Sequence, residues 1–339
     1  IGLSATVSNS EEFGDWLSTV RGDTTVIVSE HRPVPLDQWM MLGRKIYPLF
    51  EPESGGQVNT ELARRIQRLE AGDTDDGRAD YKSGKGFRAR ARHKGGGRSE
   101  FRGRGRGRSG ASRQQDRYRP LGRPEVLKVL QSQDMLPAIT FIFSRAGCDG
   151  ALYQCLRSRM VLTSQEEAQQ IKEIVDAGVE GIPEEDLQVL DFKRWREALS
   201  RGFAAHHAGM LPAFRHIVED LFVRGLVRAV FATETLALGI NMPARTVVLE
   251  KLIKFNGEAH VDLTPGQYTQ LTGRAGRRGI DTLGNAVVQW APAMDPRQVA
   301  GLASTRTYPL ISTFAPGYNM AINLLGMLGF EDSLRLLEK

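Results

Sequence analysis

The chain has 339 residues, 41% of them hydrophobic and 25% charged, with a formal net charge of +5 and two cysteines. This is enough length for about two domains with real cores, and the cysteine count excludes a disulfide-stapled secreted scaffold. No apolar run reaches the ~18 residues of a membrane span and no basic stretch leads into an apolar core near Ile1, so a soluble, cytoplasmic protein with no membrane partner is expected.

The net charge is an average over unlike regions. Residues 78–119 hold 15 Lys or Arg against 3 Asp or Glu, a net +12, which leaves 30 basic and 37 acidic residues, a net −7, in the rest. The positive charge therefore belongs to one segment.

In chain order, Ile1 to Val7 reads as a buried strand entered midway, and Lys339 ends inside a helical pattern, so a piece of a longer protein is expected. Ser10 reads as a helix N-cap, with Phe13, Trp16 and Leu17 at helical spacing, and Thr24 to Val28 reads as a second strand. His31 to Leu36 carries two prolines and predicts an extended connector that does not pair as a central strand. A short helix is predicted over 60–67, after which Asp, Arg and Gly leave almost nothing to bury; residues 70–119 read as disordered. Their centre repeats arginine and glycine, with Arg102, Arg104, Arg106 and Arg108 beside Phe101. Such a repeat suits sequence-tolerant nucleic-acid binding through phosphate contacts and base stacking; the bland alternative is a solvated linker.

Order returns at Ala138 to Ser144, an apolar run of the kind buried on both faces. Similar runs follow at 227–231, 246–249 and 286–288, separated by helical stretches at 146–159, 164–177, 184–201 and 212–224. Alternating strands and helices predict a parallel, doubly wound α/β sheet with its ligands at the carboxyl ends of the strands. Arg145 and Thr233 each fall just past a strand. Cys148 and Cys155, seven apart, share a helix face and read as buried apolar thiols. Trp39, Trp195 and Phe255 read as packing residues.

The run Gln270 to Gly279 sets Arg274, Arg277 and Arg278 among three glycines. Arginine brings a permanent charge and a donor fork matched to phosphate oxygens, and glycine lets the backbone approach closely. Four segments fall in order: Ser4-Ala5-Thr6, Phe143-Ser144-Arg145, the stretch ATETLALGINMPA over 232–244, and QLTGRAGRRG over 270–279. This order and wording resemble the later motifs of superfamily 2 helicases, in particular the Ski-type, exosome-associated branch of DExH-box RNA helicases. The resemblance covers essentially all of the ordered chain.

The resemblance implies a RecA-like parallel sheet flanked by helices, the second motor domain of a 3′ to 5′ RNA helicase that uses ATP and Mg²⁺. It divides the chain into the end of a first RecA-like domain (1–30), a linker and start of the second (31–50), a disordered Arg/Gly-rich insertion (51–119), the second RecA-like domain (120–300) and the start of a helical winged-helix domain (301–339). It assigns Arg274 and Arg277, with Gln270 nearby, to the γ-phosphate of ATP, and Gly239 and Asn241 to the nucleotide ribose. Ser4, Ala5 and Thr6 couple nucleotide state to domain closure. Ser144, Arg145, His207, Gly209, Thr233 and Thr235 grip the sugar-phosphate backbone, and a strand-separating hairpin lies between Lys251 and Thr264, with Pro265 and Gly266 closing its loop.

The chain holds neither a GxxxxGK[ST] phosphate loop nor a DExH box. No metal site is expected within it, Mg²⁺ and the ATP phosphates being held upstream, and the piece alone is expected not to hydrolyse ATP. RNA, with DNA as the alternative, and RNA-degradation machinery are the implied partners. A passive RNA-binding protein using the arginine-glycine segment, and a DNA repair helicase, are the competing readings.

Overall fold

The computed structural model describes residues 9–29, 32–52, 56–71, 118–237, 242–255, 257–292, 294–305 and 317–337. Residues 1–29 with 306–339 form one compact unit and residues 30–305 another. In the first, α1 (Ser10–Arg21) starts one residue earlier than its signal suggests: Asn9, not Ser10, is the N-cap, its side chain accepting from the Glu12 N–H. The expected strand over 24–28 is absent. Ile27 is 89% exposed and the segment has no ladder partner among the described residues, and an unpaired run of branched residues is not a strand. The same unit holds α11 (Tyr318–Leu337), helical as expected but broken at Gly329, whose φ is 75°.

The larger unit is built on a seven-stranded sheet in the order β2-β1-β9-β6-β3-β5-β4. Its strands are β1 (Leu36–Leu42), β2 (Lys45–Pro48), β3 (Ala138–Phe141), β4 (Phe203–His206), β5 (Ala229–Ala232), β6 (Thr246–Leu249) and β9 (Gly284–Gln289). Every neighbouring pair is parallel except the edge strand β2, which turns back on β1 about Gly43. The parallel sheet flanked by helices is therefore the observed architecture. Strands β3 to β6 and β9 are buried along their whole length, as strands covered on both faces must be. The period of two is visible inside them: Ile139, Phe141, Val230, Val247 and Leu249 face one core, and Ala138, Phe231, Phe203 and Val248 face the other.

The first core is closed by α2 (Thr60–Glu70), α5 (Gln165–Gly178), α7 (Phe192–Ser200), α8 (Pro212–Val223) and α9 (Pro265–Thr272), the second by α3 (Arg123–Ser132) and α4 (Arg145–Arg157). Trp195 stacks on Phe214 with ring centroids 4.1 Å apart, so its packing role holds. Cys148 and Cys155 are fully buried and free, and desolvation pushes both thiols up to about 12.

Three expectations are corrected. The proline-rich connector ends at Pro35, whose carbonyl accepts from Gly284, and the chain enters the sheet interior at Leu36 as β1; both prolines lie before the ladder and remove none of its donors. The insertion does not begin at residue 51: Phe50 bridges Val58, and α2 buries Leu62 and Ile66 in the first core. Tyr118 likewise packs on Trp290 at 4.6 Å, so only 72–117, outside the described residues, remains for it. The single helix expected over 184–201 is two, α6 (Glu184–Val189) and α7, separated at Asp191 with φ 53°. Among the described residues, no helix is long and apolar enough to cross a membrane.

Candidate functional site

Two clusters lie at opposite ends of the sheet. The first gathers at the carboxyl ends of the adjacent strands β3, β5 and β4, where Ile142 N donates to Ala232 O at 2.7 Å and Thr233 N to His206 O at 3.3 Å. Ser144 is exposed and caps α4, its hydroxyl accepting from Gly147 N at 3.2 Å, with Arg145 the exposed first residue of that helix. Thr233 and Thr235 share a hydroxyl–hydroxyl bond of 2.9 Å. Gly209 lies against Arg145: a Cβ there would meet the Arg145 Cδ at 3.3 Å. The six residues expected to grip a backbone, Ser144, Arg145, His207, Gly209, Thr233 and Thr235, are thus brought to one edge from three strands.

His206 and His207 diverge as strand alternation requires. Gly209 N donates to His207 Nδ1 at 3.2 Å, so Nε2 carries the proton, which it donates to Asp149 Oδ1 at 3.0 Å. His206 Nε2 contacts Glu219 Oε1 at 2.8 Å, and burial holds its pKa below the ordinary value despite that carboxylate. The Gly209 N–H is turned inward, where it orients His207.

The second cluster is the arginine run, and it is not at the carboxyl edge. After β6 come the hairpin strands β7 (Ile253–Phe255) and β8 (His260–Asp262), and then α9, which crosses back toward the start of β9. Residues at its end therefore arrive at the amino ends of β6 and β9. Thr264 and Gln267 form a capping box with Pro265 at N1, so Pro265 and Gly266 open this helix rather than close the hairpin. Phe255 is 57% exposed on the hairpin, so it is not a core residue, and its ring packs edge-on against His260 at 5.5 Å.

Past α9, Ala244 N donates to Arg274 O at 2.9 Å and Gly276 N to Ala244 O at 2.7 Å, which fixes the turn against the entrance to β6. Arg32 Nη2 donates to Ala275 O at 2.7 Å from the other side. Gly276 has a φ of 89°, and a Cβ there would lie 2.7 Å from Val34 Cγ1; only glycine fits. Arg274 donates to the carbonyl of Ala237, the last residue of a 3-10 turn, Glu234–Ala237. Arg277 is held side-on by Asp281, Nε to Oδ2 and Nη2 to Oδ1 both at 2.8 Å, while Arg278 is exposed and Gln270 half-buried.

This donor set suits a polyanion: three guanidiniums in five residues on a turn whose glycines let a ligand approach the backbone. No group of three or more His, Cys, Asp or Glu among the described residues is disposed to hold a metal. Gly239, Asn241, Ser4, Ala5, Thr6, Arg102, Arg104, Arg106 and Arg108 lie outside the described residues. Sequence reasoning did not find Arg32, Asp149, Glu219, Arg245 or Asp281; each acts through a partner that only the fold brings near, save Asp281, four residues beyond Arg277.

The comparisons place a conserved helicase C-terminal domain within this chain. The family described as "Helicase conserved C-terminal domain" matches residues 179–279, from the end of α5 through the arginine run. Over its full length the chain is 58% identical to "Probable helicase HelY" of Mycobacterium tuberculosis, covering 35% of that protein. It is 55% identical to the Mycobacterium leprae protein of that name, again over all of this chain and 35% of the other. With the chloroplastic "DExH-box ATP-dependent RNA helicase DExH15" of Arabidopsis thaliana it shares 36% identity over 96% of this chain and 27% of that protein. The chain thus spans about a third of the length of these Mycobacterium relatives.

Proposed function

We propose that this chain is the C-terminal motor portion of an ATP-dependent RNA helicase, acting 3′ to 5′, in which Arg274 and Arg277 face the γ-phosphate of ATP and the carboxyl-edge cluster grips the sugar-phosphate backbone. Gln270 lies beside the arginines, and Gly239 and Asn241 flank the nucleotide. Ser4, Ala5 and Thr6 transmit its state. When bound, ATP with Mg²⁺ supplies the phosphoryl bond whose cleavage drives movement; a phosphate loop outside these residues completes the site.

What the chain's own residues do follows from their chemistry. Guanidinium donors set in advance where charge builds lower the barrier without reorganising at the moment of reaction. Hydroxyls, an arginine and a glycine-lined approach at the strand ends suit contacts that position a strand without reading its sequence. The observation that carries the reading is the 3-10 turn Glu234–Ala237. Thr235 within it belongs to the backbone-gripping cluster, Glu234 binds Lys254 of the hairpin at 2.8 Å, and Ala237 O receives Arg274. One short segment thereby joins strand grip, hairpin and arginine turn, as a motor that converts nucleotide state into strand movement needs.

The test is Arg277→Ala in the full-length protein. RNA-stimulated ATP turnover is expected to fall by about 10³-fold or more, with RNA affinity retained. Turnover at the wild-type rate would reject this reading in favour of a passive RNA-binding protein that uses the arginine-glycine segment. Matched 3′-tailed RNA and DNA duplexes, compared at one salt concentration, decide the substrate; the likeness to an Arabidopsis RNA helicase supports RNA.

A further inference from the structure

Asp281 is the most completely engaged side chain in the arginine region. Its side chain is 1% exposed, against 21% for Arg277. Oδ2 accepts from both the backbone N–H of Arg277, at 2.9 Å, and its Nε, at 2.8 Å. Oδ1 accepts from Arg277 Nη2 at 2.8 Å and from Arg245 Nε at 3.1 Å. Four donors use up the roughly four lone-pair sites of a carboxylate. The Asp281 backbone N–H in turn donates to Arg277 O at 2.9 Å, so residues 277 to 281 close on themselves at both backbone and side chain. Arg245 is itself anchored, its Nη1 donating to the carbonyl and to Oδ2 of Asp134, both at 2.7 Å.

The arrangement leaves a defined remainder. A guanidinium has five N–H donors in one plane, and Asp281 takes the two on the Nε/Nη2 edge. Both Nη1 donors and one on Nη2 are left on the far edge, with the plane fixed by two bonds. With Asp134 counted, two carboxylates balance the two guanidiniums, so the cluster is net neutral and what Arg277 offers is an oriented edge. A buried ion pair of this kind is weak evidence for stability, since removing both charges from water is costly; holding an arginine in one orientation is what it does well.

We infer that Asp281 is a positioning residue for Arg277, clamping one edge of its guanidinium so that the opposite edge is presented, already oriented, to the transferring phosphate. Arg245 steadies the clamp from behind. This rests on the proposed role of Arg277 and extends it to a residue that does not itself touch nucleotide.

The experiment is a double-mutant cycle in the full-length protein, reading RNA-stimulated ATP turnover, KM for ATP, and folding by circular dichroism. Asp281→Asn is expected to lower kcat about 10- to 100-fold, the loss associated with a misplaced catalytic group, with KM for ATP nearly unchanged. Adding Asp281→Asn to Arg277→Ala is expected to cause no further loss, because the clamp then has nothing to hold. A wild-type kcat in Asp281→Asn, or a loss that multiplies in full onto that of Arg277→Ala, overturns the inference and leaves the proposed function standing. Wild-type turnover in Arg277→Ala overturns both. If Asp281→Asn does not fold, Asp281→Glu poses the same question, since it keeps the charge and displaces the carboxylate; a lowered kcat supports the clamp and an unchanged one overturns it.

Discussion

Gly276→Ala tests whether the arginine turn is held by contact with the segment leading into β1. The new methyl meets two penalties. The backbone φ of 89° lies in the region that L side chains resist, at about 1–2 kcal/mol. The Cβ would also lie 2.7 Å from Val34 Cγ1 and 3.0 Å from Val34 Cβ, with the Gly284 Cα at 3.4 Å. Val34 is 5% exposed and has no open space to swing into, so overpacking adds about 1–3 kcal/mol. The sum is a destabilisation of about 2–5 kcal/mol, measurable by urea unfolding followed through the fluorescence of Trp39, Trp195 and Trp290. The steric part is separable, because Val34→Ala removes the methyl that clashes. The double variant is expected to be more stable than the two single effects added, by about 1–3 kcal/mol. A Gly276→Ala protein within about 0.5 kcal/mol of wild type, or effects that simply add, would refute the reasoning: close contact would not be what holds the turn.

Two predictions concern charge. Burial would raise the Asp281 pKa, but the bonds from Arg277 and Arg245 outweigh it and bring the carboxyl from 3.8 down to about 2. A depressed folded pKa gives stability that is complete above the unfolded value and lost as pH falls through the folded one, here between about pH 5 and pH 2, and worth about 2–3 kcal/mol. The gap in unfolding free energy between wild type and Asp281→Asn should therefore narrow across that window; a gap independent of pH contradicts the assignment. Replacing Arg102, Arg104, Arg106 and Arg108 with alanine is expected to flatten the dependence of log K on log salt for single-stranded RNA by up to about 3, at ~0.7 for each phosphate no longer neutralised, with ATP turnover at saturating RNA unchanged. An unchanged slope makes the segment a linker.

How far the sequence was legible follows from where each signal resides. The buried strands β3, β5, β6 and β9 announce themselves as short branched runs, because a strand covered on both faces must be apolar throughout. Strand β4, Phe-Ala-Ala-His, is four residues ending in a histidine, and nothing local separates it from a loop. Strand β1 was hidden by its prolines, which signal a connector although both precede the ladder. The strand expected at Thr24 to Val28 shows the converse: propensity was strong, yet Ile27 stands 89% exposed and no partner lies beside the segment among the described residues.

For the candidate site, sequence by itself determined the chemistry: arginines and glycines in one run, hydroxyls and an arginine past strands, and an order of motifs that marks a helicase C-terminal domain. Those are properties of residue type and spacing, which survive without coordinates. Tertiary structure alone decided the partners. It set the arginine turn at the amino ends of β6 and β9, because a crossover helix between parallel strands must return to the opposite edge. It joined Arg274 to Ala237 across 37 residues and Arg32 to Ala275 across 243. It also put Arg277 in the grip of a buried Asp281, a relation invisible in spacing because burial and the approach of Arg245 are products of the folded chain.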